Sequence, residues 1–313
     1  MEKDLSKYMI RKLLLPLIIL TAFSILFSCA KSDSIDVNKQ NQKDPAYNDQ
    51  NVENLNLRLA FSVTEFTVGL NRVRFGIIDP KTGPMKSMSV TAQTFYLGDG
   101  ESQIPKDTQK ARYYDLPQPS TGIYGIETSF DKPGKWGLGI AIDTPESTRF
   151  ASGYLTVKDK SNTPEIGNKI PTLNNLTLDD VKASNELTSD PDPYLPLYTT
   201  KITDSIDSDK STLIVFSSPA FCKTGTCGPQ LEIIKFLHPK FENEIDFIHI
   251  EIYKDPHKLS GKINKSDINP IVSTWNLPSE PWTFITDKSG KLTHKFEGLV
   301  TAGELNNAFE ILK

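Results

Sequence analysis

From Leu55 to about Val157, apolar and polar residues alternate in short runs, and no stretch sustains a helical period. The runs read LNLRLAFSVTEFTVGLNRVRFGIID, SMSVTAQTFYLG, GIYGIETSF, KWGLGIAID and ASGYLTVKD, with turn formers such as DPKTGP and DKPGK between them. A two-residue period sends successive side chains to opposite faces of a strand, so each run has one face to bury against a second layer. This pattern predicts an all-β sandwich of about seven strands.

The period changes near Lys201. STLIVFSS and IDFIHIEIY are β-branched runs suited to strands buried on both faces. Between them, GPQLEIIKFLHPKFENE sets Leu231, Ile234, Leu237 and Phe241 at helical spacing. WTFITDKSGKLTHKFEG predicts a hairpin turning at Lys288 to Gly290, and TAGELNNAFEILK a closing helix capped by Thr301 with Glu304 three residues on. Strand, helix, strand, hairpin, helix is an α/β layout with a mixed sheet. The intervening stretch is rich in Pro, Asn, Ser and Asp and poor in apolar periodicity, which predicts a wrapping linker. The expected division is residues 54–158 for the sandwich, 159–198 for the linker and 199–313 for the α/β domain.

The N-terminus reads as an address. Lys3, Lys7, Arg11 and Lys12 precede the apolar run LLLPLIILTAFSILF, which is too short for a spanning helix and is interrupted by Pro16. The run ends in LFSC, which resembles the lipobox of bacterial lipoproteins. The resemblance implies removal of residues 1–28, lipid on Cys29, and a protein anchored to a membrane in the bacterial cell envelope on its extracytoplasmic side. Residues 29–53 are polar, almost free of aliphatics and expected to form a flexible tether. With Cys29 lipidated, Cys222 and Cys227 remain from the three cysteines, an even pair in a compartment where disulfides persist. A formal charge of -4 and the lack of a basic block argue against nucleic acid as a partner.

The two remaining cysteines lie in SSPAFCKTGTCGPQLE, residues 217 to 232. A buried strand leading into this loop and a helix, followed some sixty residues later by EPWTFITDKSGKL, resembles the thioredoxin superfamily, most closely its membrane-tethered extracytoplasmic members. The resemblance covers roughly the last 110 residues and implies a thioredoxin-like fold with thiol-disulfide exchange on exported proteins. It also implies a cis-proline at Pro281, a substrate groove lined by Pro281 and Glu280, and Trp282 as its apolar wall. YGIETSFDKPGKWGLGIAI is similar to the paired late strands of immunoglobulin-like and fibronectin-like envelope domains.

The cysteine spacing departs from that family's pattern, because four residues intervene where two are usual. Either Cys222 is the nucleophile and Cys227 a displaced resolving thiol, or CGPQ occupies the motif and Gln230 stands where the second cysteine would. Pro229 suits a first helical turn, which sets Cys227 beside the N-cap, where unpaired N–H groups and the helix dipole favour a thiolate. This favours the second alignment, with Cys227 as the attacking thiolate and Cys222 as the thiol that resolves the mixed disulfide. The acid that many thioredoxins bury on the motif strand is missing from TLIVFSS. Glu251 is a substitute for it or a strand-end carboxylate in solvent. A second reading is a non-catalytic envelope scaffold with a static disulfide. A third is a copper-binding relative that takes its third ligand from His249, His257 or His294. The preferred reading needs no cofactor and no resident metal. Met85 and Met88 read as loop residues, and the redox partner stays undefined.

Overall fold

Alternation in the first half becomes pairing. The computed structural model describes residues 57–312 apart from 87, 99, 101–103, 116–121, 223–224 and 261–262. The export signal, Cys29 and the tether lie outside the described residues. The first strands are β1 (Arg58–Phe61), β2 (Phe66–Thr67), β3 (Gly69–Asp79), β4 (Gly83–Pro84) and β5 (Ser89–Tyr96). They are followed by β6 (Asp107–Lys110), β7 (Arg112–Asp115), β8 (Gly122–Phe130), β9 (Gly134–Asp143) and β10 (Thr148–Lys158). Two five-stranded sheets result, one in the order β1-β3-β8-β7 with β4 on β3, the other β2-β10-β9-β5-β6. The two-residue period explains the core between them. Val73, Phe75 and Ile77 of β3 point inward, as do Trp136, Leu138, Ile140 and Ile142 of β9, and all belong to one apolar cluster.

The rest of the chain folds as α1 (Ile202–Ile206), β11 (Ser211–Ser217), α2 (Cys227–Phe241), β12 (Ile245–Glu251), α3 (Pro270–Thr274), β13 (Trp282–Thr286), β14 (Leu292–Glu297) and α4 (Ala302–Glu310). The sheet order is β12-β11-β13-β14, with β11 parallel to β12 and the other neighbours antiparallel. Leu213 and Val215 of β11 face Leu231, Ile234 and Leu237 of α2 and Leu305 and Phe309 of α4. Ile214 and Phe216 face the opposite way, into a cluster with Ile248, Trp275 and Phe284.

The fold class expected from the sequence, a sandwich followed by an α/β thioredoxin-like domain, is corrected. Strand outweighs helix, 39% against 21%, across several sheets, so the molecule is predominantly β and its sandwich is the defining architecture. The physical reason is one of proportion: the expected helices α2 and α4 both form, but they are few beside the ten described strands of the sandwich. The remaining helical segments are short: α1 and α3 span five residues each, and several others reach only single 3-10 turns. Residues 159–198 also pack more deeply than their composition suggests: Leu197 and Tyr198 are fully buried against the C-terminal sheet.

The outer face of the first sheet is joined to the C-terminal elements. Arg72 and Arg74 of β3 both reach the Glu304 carboxylate of α4, at 2.9 Å each. Thr64 Oγ1 donates to Glu297 Oε1 at 2.6 Å, and Lys295 Nζ lies 3.7 Å from Glu65.

Candidate functional site

Register decides what meets at the cysteines. The parallel pair ends with Ser217 beside Glu251, while β13 begins with Trp282 beside Phe216. The loop after β11, the end of β12 and the turn before β13 therefore share one edge of the sheet. Cys222 and Cys227 lie in that loop and are joined by a disulfide with Cα atoms 6.0 Å apart. Cys227 opens α2 and is fully buried, whereas Cys222 is half-buried. Thr226 is the N-cap, its carbonyl accepting from Gln230 N at 2.9 Å, and Pro229 occupies the first turn as expected.

The Glu280–Pro281 peptide is cis, as expected from the sequence. A Glu280 carboxylate oxygen and the two cysteine sulfurs all lie within 4.8 Å of one another. Ser218 Oγ donates to Glu280 Oε2 at 2.5 Å and fixes the orientation of that carboxylate. Trp282, expected to wall the groove, is instead a core residue. It is buried, stacks on Phe284 with ring centroids 5.5 Å apart, and donates through Nε1 to Ser279 Oγ at 3.1 Å. Pro281 is buried beside it. Gln230 is buried too, and its Oε1 accepts from Val300 N at 2.6 Å, a structural bond between α2 and the start of the closing helix.

Behind the disulfide loop lies a buried polar network. Glu251 is buried rather than solvent-facing. Its Oε2 accepts from Ser189 N at 2.7 Å and Ser189 Oγ at 2.8 Å, while Oε1 is buried and has no hydrogen-bond partner among the described residues. Burial raises its pKa to about 8, and the Glu280 charge adds to the rise. Ser189 Oγ in turn accepts from Ala220 N at 3.2 Å, which links Glu251 to the cysteine loop.

His249, one strand step away on the same face, bonds through Nδ1 to Tyr198 Oη at 2.7 Å and through Nε2 to Ser217 Oγ at 2.8 Å. Nε2 also lies 3.2 Å from the Ser217 carbonyl, which can only accept, so Nε2 carries the proton and Nδ1 accepts from Tyr198. Burial lowers the His249 pKa to about 4. Both ring nitrogens are engaged. Among the described residues, the ligand-sized cluster containing the two sulfurs is completed by Glu280 and includes no histidine.

Sequence reasoning named Cys222, Cys227, Glu280, Pro281 and Glu251, and the structure brings all five to one sheet edge. It missed Ser189, Tyr198, Ser217 and Ser218. The signal for the network was present in IDFIHIEIY, where His249 and Glu251 interrupt an otherwise apolar buried run.

In comparisons with known proteins, no family model matches the chain and no curated protein matches it. Among solved structures, the chain is similar to the PKD domain from the human VPS10 domain-containing receptor SorCS2, a solution structure. The likeness covers 34% of this chain and 73% of that one, at 12% identity and a TM-score of 0.19. At that score it carries no argument about fold or function.

Proposed function

We propose that this chain is an extracytoplasmic thiol-disulfide oxidoreductase acting on exported proteins through Cys222 and Cys227, held at a bacterial envelope membrane by lipid on Cys29. The observation that carries the reading is the asymmetry of the pair: one sulfur is within reach of solvent, and the other is sealed at the N-terminus of a long helix. A substrate thiolate attacks Sγ of Cys222, the S–S bond breaks, and its electron pair stays on Cys227. There the N–H groups and dipole of α2 favour the anion. A second substrate thiol, once deprotonated, attacks the substrate sulfur of the mixed disulfide. The substrate leaves oxidised and Cys222 keeps the electron pair.

In the reverse direction the roles expected from the sequence are exchanged, because Cys227 is sealed and Cys222 is reachable: the Cys222 thiolate attacks a substrate disulfide and Cys227 resolves the adduct. Glu251, buried behind the loop and tied to it through Ser189 and Ala220 N, keeps its proton to about pH 8 and so adds no negative charge beside the pair near neutral pH.

The test is the reduction potential of the pair in the full chain, equilibrated against thiol redox buffers in detergent. A value between about -120 and about -270 mV supports exchange. A value below about -300 mV marks a structural staple and leaves the sandwich as the functional part of a scaffold.

A further inference from the structure

We propose that the reduced cysteine pair and Glu280 form a zinc site, with Cys222 Sγ, Cys227 Sγ and one Glu280 carboxylate oxygen as protein ligands and water as the fourth. The inference goes beyond disulfide exchange and does not depend on it, since an inert pair would bind equally once reduced.

The argument begins with distance. In the oxidised chain the three donor atoms already lie within 4.8 Å of one another. Around a tetrahedral zinc ion, sulfurs at roughly 2.3 Å and an oxygen at roughly 2.0–2.2 Å from the metal sit some 3.5–3.8 Å apart. Breaking the S–S bond lets the sulfurs separate towards that spacing without moving α2 or β13.

Chemistry selects the ion. Two thiolates exclude calcium and magnesium, which take oxygen ligands, while a carboxylate beside them suits borderline zinc better than soft Cu(I). Charge agrees, because three negative ligands meet a doubly positive ion beside the positive end of a helix dipole, which favours negative charge. Glu280 is also held as a ligating carboxylate is usually held, by a hydrogen bond from a neighbouring hydroxyl, that of Ser218. His249 does not compete for the ion, because both of its nitrogens are committed to Tyr198 and Ser217. Half-buried Cys222 and Glu280 form the entry side.

Forming the site requires reduction. A small dithiol supplies two electrons and two protons and becomes a disulfide, converting the Cys222–Cys227 bond to two thiols. Zinc then displaces both thiol protons to solvent. Oxidation of the pair would return the ion, so the site is redox-gated.

The experiment titrates Co2+ into the full chain in detergent, before and after dithiol reduction followed by removal of reductant, and then displaces it with Zn2+. The expected result is one equivalent of Co2+ giving thiolate charge-transfer absorption in the reduced protein alone, bleached by Zn2+. Glu280→Gln should weaken Zn2+ binding at least about tenfold, measured against a chromophoric chelator, with an unchanged circular dichroism spectrum. Zinc-edge X-ray absorption on the wild-type protein, which requires no variant to fold, should count two sulfur and two oxygen or nitrogen neighbours. The proposal is overturned if the protein with both thiols titratable gives no cobalt band, if folded Glu280→Gln binds as tightly as wild type, or if the zinc shell is all sulfur.

Discussion

Two buried groups with opposite displacements set the pH response of the site. Folded Glu251 keeps its proton to about pH 8, whereas its ordinary value is 4.5. Folded His249 stays neutral down to about pH 4, against an ordinary 6.5. Between pH 4.5 and 6.5 folding takes up a proton at Glu251 and releases one at His249, so their slopes cancel. From pH 6.5 to 8 only Glu251 differs, and the folded state binds more protons than the unfolded state. Stability therefore falls as pH rises, by about 1.4 kcal/mol per pH unit. Urea unfolding should show a loss of about 2 kcal/mol across that window in the wild type, and Glu251→Gln should abolish it. An unmoved wild-type midpoint would mean that Glu251 is ionised in the fold. The cysteines make a second prediction through burial alone. After mild reduction, iodoacetamide should label Cys222 at least about tenfold faster than Cys227, and Cys227→Ser should accumulate mixed disulfides that Cys222→Ser does not. Equal labelling rates, read by peptide mass spectrometry, would remove the asymmetry on which the proposed exchange rests.

At the scale of elements, what could be read from sequence was whatever local pattern encodes. The start of α2 followed from Pro229, the β13–β14 hairpin from DKSG, and the closing cap from Thr301 and Glu304. That cap is formed in full, with Thr301 Oγ1 accepting from Glu304 N at 3.2 Å and the Glu304 carboxylate accepting from Thr301 N at 2.8 Å. Thr301→Ala should lower stability by about 1 kcal/mol in chemical denaturation. An unchanged midpoint would mean that the helix is held by packing alone. What local pattern does not encode is which distant segment reaches a site. Ser189 and Tyr198 sit in a Pro-rich and Asp-rich stretch with no period of its own, yet they close the network around Glu251 and His249. The proximity of Glu280 to both sulfurs is likewise a product of sheet register, set by pairing partners dozens of residues apart. The expected class failed on proportion rather than on any one element: the C-terminal strands and the helices α2 and α4 form as read, but the strands of the sandwich outweigh them.

The molecule as a whole depends on charged groups at the join between its sandwich and its C-terminal sheet. Arg74 sits in a strand of alternating apolar residues, pointing away from the sandwich core, and is nonetheless 1% exposed. Glu127 at 2.7 Å and Glu304 at 2.9 Å neutralise it, and Glu304 also takes Arg72. Burial would raise the Glu304 pKa, but the charges of Arg72 and Arg74 together with the Thr301 bonds hold it below the ordinary 4.5. Its contribution is thus complete above pH 4.5 and is lost as pH falls through the lowered value. Close approach at the same seam demands glycine at position 298, where φ is 73° and an added Cβ would lie 2.8 Å from the Ser62 carbonyl oxygen. Glu304→Gln leaves the buried Arg74 and the partly buried Arg72 short of charge while keeping the side chain's shape. It should cost about 3 kcal/mol at pH 7, because removing one partner of a buried pair exposes the desolvation cost of the other. The loss should also appear as altered cooperativity. Hydrogen exchange of β9 and β11, which should open together in the wild type, should separate in Glu304→Gln, with β11 opening at the lower free energy. If both strands still exchange in one step after the substitution, the ion cluster is not what couples the sandwich to the sheet carrying the disulfide, and the close approach of Gly298 to Ser62 and Val63 becomes the coupling instead.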